Sequence, residues 1–167
     1  MEAIFNKVDA SGLVTVNLEE LIPEGERVLL DIRPWLFEDL ILKEKDFRDH
    51  IRQHDWNQYA HKFVALTCTS DAIIPVWAWM LIEVALEPYA ERVLFGTLNH
   101  LEEALLLEKI SALDAENFRD ARIVIKGCGD KAVSPAAYAA ITHKLASVAK
   151  SIMYGEPCST VPVMKRK

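Results

Sequence analysis

The chain has 167 residues, 51% of them hydrophobic and 26% charged, with a net charge of −6. That length can bury a proper core, and that composition excludes a disordered chain. The acidic balance gives no attraction to nucleic acid or to anionic membranes, so neither is expected as a partner. The longest apolar run, Ala72 to Ile82, falls well short of the ~20 residues that span a bilayer. The first residues carry no charged stretch followed by an apolar one, so no signal peptide is read and a cytoplasmic location is expected. Three widely separated cysteines, an odd number, do not form a disulfide framework.

Taken in order, residues 2–10 are expected as a short helix ending at Ser11-Gly12, and Leu13 to Val16 as a strand. Asn17 to Leu21 reads as a helical turn with Asn17 as its N-cap. Val28 to Ile32 is a strand stopped by Arg33-Pro34. Leu36 to Leu42 is too dense in apolar residues for a loop and too short to separate strand from helix. Lys43 to Trp56 is predicted helical, with Phe47, Ile51 and His54 on one face. A strand at 63–67, a nearly all-apolar helix at 75–88, a strand at 92–95 and an amphipathic helix from Leu98 to about Ile110 follow. The last strand is placed at 121–126. The last helix runs from Pro135 to about Met153, with Ser134 as N-cap. The tail from about 155 to 167 is extended, because Pro157 and Pro162 exclude helix.

Short apolar strands alternating with helices predict an α/β fold: one domain over residues 1–167, with a largely parallel or mixed sheet and helices on both faces. No internal boundary and no sequence repeat is read.

In such a sheet, ligands bind beyond the carboxyl ends of the strands. Cys68 follows the strand at 63–67, and Cys128 follows the strand at 121–126. If those strands are neighbours, the two sulfurs approach each other, and the helix starts near them favour thiolates. Cys158 lies in a similar Pro-bounded turn. The chemistry this suggests is a metal site of soft ligands, zinc above all, held by Cys68, Cys128 and Cys158. The fourth position would go to Asp71, a histidine, water or substrate, and the site would be structural or catalytic. Cys158 can join only if the last helix ends early, bends, crosses the sheet or comes from a second subunit.

Two alternatives stand beside the metal site. One is a non-enzymatic interaction module or homodimer, using the helix at 75–88 and the tail. Trp77 and Trp79 point to different sides of that helix, and a helix apolar all round must be covered all round. The other is a thiol-dependent enzyme using Cys128. No small-molecule ligand is named by the sequence. Gly127-Cys128-Gly129-Asp130-Lys131-Ala132 has the G-x-G-x-x-A spacing but lacks the acidic residue about 20 positions on, so anion binding with Lys126 or Lys131 is the better expectation than a dinucleotide. His50 and His54 share a helix face, as metal ligands do, but sit beside the Phe47/Ile51 stripe as the edge of an ordinary helix would.

Four stretches carry a likeness: Leu40 to Arg48, Ala65 to Cys68 with Asp71 to Ile73 and Pro75, Lys126 to Cys128, and Gly155 to Pro162. With these the chain resembles, over nearly its whole length, a bacterial family of unknown function from the cytoplasm of the Bacteroidetes. The resemblance implies no activity, substrate or catalytic residue. All three cysteines lie inside the shared stretches.

Overall fold

The structure, a computed structural model, describes residues 6–8, 12–127 and 129–167. In chain order the strands and helices are β1 (Asn6–Val8), β2 (Leu13–Asn17), β3 (Arg27–Asp31), α1 (Glu44–Gln53), β4 (Phe63–Thr67), α2 (Val76–Leu86), β5 (Arg92–Phe95), α3 (Leu98–Ala112), β6 (Arg122–Lys126), α4 (Pro135–Ala146), β7 (Ser151–Glu156) and β8 (Ser159–Lys165). The expected α/β class holds. The strands divide between two sheets: a parallel one of order β3-β4-β5 and a mixed one of order β1-β2-β6-β7-β8.

Each sheet belongs to its own compact unit. The inserted unit is the continuous stretch Glu24–Leu101. The flanking unit combines the chain up to Pro23 with Glu102–Lys167. The core of the inserted unit gathers Leu30, Ile32, Phe47, Val64, Leu66 and Ile82. The core of the flanking unit gathers Val16, Leu18, Leu106, Ile123, Ile125 and Ile141.

The two units are the same fold, one nested in the other along the chain. β4 pairs with β3 in the register Phe63↔Arg27, and with β5 in the register Phe63↔Arg92. β6 pairs with β2 in the register Arg122↔Leu13, and with β7 in the register Arg122↔Ser151. From Phe63 to Arg122, and from Arg92 to Ser151, the shift is 59 residues; from Leu13 to Arg27 it is 14. Small details repeat at the same shift. His61 and Asp120 both take positive φ, 59° and 57°. Their N–H groups bond the carbonyls of Tyr89 and Val148, also 59 apart. Asp55 and Asp114 each cap a short 3-10 turn by accepting an N–H two residues on. Gly96 and Gly155 both sit at strand ends with φ near the mirror-β region, which glycine alone adopts freely. In the first strands, Asp31 and Asn17 both accept the N–H two residues on. The inserted unit therefore enters the flanking one between its first strand, β2, and its first helix, α3. β1 and β8 are additions to the flanking copy, laid antiparallel on β2 and β7. The correspondence lies in these registers and was not read from the sequence.

Two boundaries differ from expectation. α4 ends at Ala146, not near Met153, because Ser151 to Tyr154 pair with β6 and leave the helix. Apolar, partly β-branched residues such as Ile152 serve a strand as readily as a helix, and pairing decides. The expected helix over 2–10 is a strand where it is described, Asn6–Val8, held by β2; its remaining residues lie outside the described ones.

Candidate functional site

The carboxyl end of the β3-β4-β5 sheet is built around Asp31. Its carboxylate accepts the N–H of Arg33 at 3.0 Å, the N–H of Thr69 at 3.0 Å and the Thr69 hydroxyl. Burial pulls the Asp31 pKa upward, but the Thr69 hydroxyl, the two N–H groups and the Arg33 charge together hold it below the usual carboxylate range. Cys68 beside it is half-buried at the rim of the core, with Sγ 3.2 Å from Ser70 Oγ. Asp71 is exposed.

The equivalent end of the mixed sheet is closed by Glu19. Its carboxylate accepts the N–H of Gly129 and, at 3.4 Å, the N–H of Lys131. A Cβ on Gly129 would lie 2.6 Å from either carboxylate oxygen, so glycine is what permits this approach. Backbone N–H groups of the loop leading to α4 are thus met by the chain's own carboxylate. Lys126 pairs with Glu156 at 3.3 Å instead of waiting for a ligand.

The condition set for Cys68 and Cys128, that their strands be neighbours, is not met in the strand order. β4, which leads to Cys68, neighbours only β3 and β5; β6, which leads to Cys128, neighbours β2 and β7. Cys128 itself lies outside the described residues. Cys158 is exposed in the turn joining β7 to β8. Because α4 ends early and β7 runs parallel to β6, that turn falls at the carboxyl edge where β6 also ends, so the condition set by the helix length is met. Among the described residues, no three His, Cys, Asp or Glu side chains gather closely enough to hold a metal ion.

His50 and His54 do not stand as an exposed pair of ligands. His54 is half-buried, its Nε2 2.9 Å from Tyr59 Oη and its ring against Trp35, Trp56 and Tyr59. Burial, then the charge of His50, lower its pKa, while Asp55 opposes them. At the matching places in the flanking unit the residues are Leu113 for His54, Ala115 for Trp56 and Phe118 for Tyr59. This cluster is a core edge rebuilt with aromatic and titratable side chains.

The surface that stands out lies on α2. Trp77 leans on Phe47 and Arg48, and Trp79 on Phe95, so both flanks of the helix are partnered. Between them Val76, Met80 and Val84 follow one another every four residues and are 74%, 63% and 71% exposed. Ile73, just before the helix, is 92% exposed. The nested duplication supplies an internal comparison. The matching positions of α4, 59 residues on, are Ala132, Pro135, Ala139 and His143, all exposed as well. Small and polar residues satisfy this fold there, so the fold does not require large apolar ones. The nearly all-apolar run at 75–88 was legible as a helix needing cover; which side lacked cover was not.

Over residues 2–166 the chain matches a family described as protein of unknown function (DUF2480), and it belongs to that family. No curated protein and no solved structure matches it. No helix in the described residues is long and apolar enough to cross a membrane.

Proposed function

We propose that this protein is a protein-binding module whose docking surface is the outer face of α2, for a partner surface of apolar character. One observation carries the reading: α2 exposes Ile73, Val76, Met80 and Val84 where the duplicate helix α4 exposes Ala132, Pro135, Ala139 and His143. Scattered exposed apolar residues need no explanation, but a contiguous stripe marks an interaction site. The stripe contributes nothing to the unit's own core, which lies on the opposite side of the helix at Ala78, Ile82 and Leu86.

Methionine oxidation reads this face directly. Met80 in dilute purified protein should oxidise quickly under mild peroxide, faster than the half-buried Met153 and Met164. Inside intact cells making the protein at its native level, oxidation of Met80 relative to Met153 and Met164 should fall several-fold. An equal ratio in the two settings would remove the reading.

A further inference from the structure

We infer that the surface α2 docks against is a second copy of the same α2, antiparallel, across a twofold axis near Met80. The inference rests on the binding-module reading and names its partner.

The stripe is self-complementary. Val76 and Val84 lie four residues either side of Met80. Under a twofold axis there, each Val76 meets the partner's Val84, and the methionines meet at the centre. An isologous contact needs one patch that fits itself, and this one does.

Charge selects the antiparallel arrangement. The N-cap of α2 is Pro75, which makes no side-chain cap, and the first turn holds no acidic residue. The last turn holds no basic residue. Glu83 and Glu87 project on the same face as the stripe, since they follow Val76 and Met80 by seven residues. Among the described residues their carboxylates make no hydrogen bond or ion pair. By itself this helix carries negative charge at its negative end and nothing at its positive end. In the antiparallel pair, each copy's Glu83 and Glu87 overlie the partner's uncapped N-terminal turn, where free N–H groups and the helix dipole favour a carboxylate. A parallel pair would stack glutamate on glutamate. An anionic membrane would meet the same two carboxylates and be repelled.

The helix is about 16 Å long at ~1.5 Å per residue, so the contact is at the small end of stable interfaces. A contact of that size is expected to be reversible, so the monomer–dimer balance should depend on concentration.

Sedimentation velocity on the full chain, from sub-micromolar to several hundred micromolar, tests this. The wild type should pass from monomer to dimer, and added salt should shift the transition upward. Met80→Glu should stay monomeric throughout with an unchanged circular-dichroism spectrum, as should Val84→Lys. Ala139→Glu, the same change at the matching place on α4, should dimerise as wild type does. A dimer indifferent to Met80→Glu and Val84→Lys forms through another surface and would overturn the antiparallel α2 pair. A wild type monomeric at every concentration overturns the second copy. Thiol labelling of Met80→Cys, followed by peptide mapping, then separates the two readings: fast labelling leaves the docking face standing for another partner, and slow labelling overturns it as well.

Discussion

Asp31 and Thr69, 38 residues apart in sequence, meet at the carboxyl end of the parallel sheet: one carboxylate takes both the N–H and the hydroxyl of the threonine. This contact ties the end of β3 to the loop carrying Cys68. Asp31→Ala leaves the Thr69 N–H without its acceptor, a loss of about 1–2 kcal/mol for a partly solvated pair. Because the folded-state pKa of Asp31 is lowered, its stabilisation is present above the unfolded carboxylate pKa and is lost as pH falls through the folded one. Urea unfolding of wild type and Asp31→Asn at pH 7 and pH 3 checks this. The gap between the proteins should narrow at the lower pH, and a gap that stays constant would remove the ionic account.

His54 acts in the same direction at a higher pH window. A neutral imidazole can accept the Tyr59 hydroxyl, and burial resists its protonation. Its folded pKa is lowered, so the stabilisation is complete above the unfolded pKa of ~6.5 and falls away as pH drops through the lower folded value. His54→Leu installs the residue that the flanking unit uses at Leu113. Wild type should lose stability between pH 7.5 and pH 5, and the variant should lose less of it over that interval. Parallel curves for the two proteins would assign the slope to other groups.

The duplication makes a prediction about cores. Ile82 and Ile141 lie 59 residues apart, each fully buried beneath its own helix with alanine at Ala78 and Ala137 one turn before and leucine at Leu86 and Leu145 one turn after. Ile82→Ala and Ile141→Ala should each cost about 2–5 kcal/mol in denaturant unfolding. If the two sites are equivalent, the costs should agree within about 1 kcal/mol, the scatter expected from how far each cavity collapses. A near-neutral result at either position would show that its surroundings are not those of its counterpart.

Much of this fold was readable from residues. β4 runs over the expected 63–67, and α2 is two residues shorter than expected at its C-terminus. The caps at Asn17 and Ser134 form as their residue types require. The division into two sheets was not readable, because strand order depends on pairings far apart in sequence. Nor was the repeat. Identities at a shift of 59 do exist: Ile51 with Ile110, Asp55 with Asp114, Ala78 with Ala137, Ile82 with Ile141, Leu86 with Leu145, and Ala90 with Ala149. They are interleaved with exchanges such as Val64 for Ile123, which preserve packing and erase the match. The first strands repeat at a different shift, 14, since one copy is nested in the other. The site was legible only in part. The cysteines were placed after β4 and β6, and their meeting was made conditional on β4 beside β6, a pairing the strand order does not have. Glu19, Asp31 and Thr69 were missed because their partners are supplied by the fold and not by neighbours in sequence.

The Glu19 contact yields the last prediction. Its carboxylate fastens the loop between β6 and α4 from 110 residues away, through the N–H groups of Gly129 and Lys131. Glu19→Ala removes the carboxylate that accepts both amides, and their hydrogen exchange should quicken about tenfold, the equivalent of ~1.4 kcal/mol of local opening. Gly129→Ala should loosen the same loop by a different route, since the added Cβ would crowd both carboxylate oxygens and drive Glu19 off. Glu19→Gln keeps one acceptor and should fall between wild type and Glu19→Ala. Amides elsewhere in the flanking core, such as Ile123 and Ile141, should exchange as before. If Lys131 exchanges at the wild-type rate in Glu19→Ala, the loop is fastened by something other than this carboxylate.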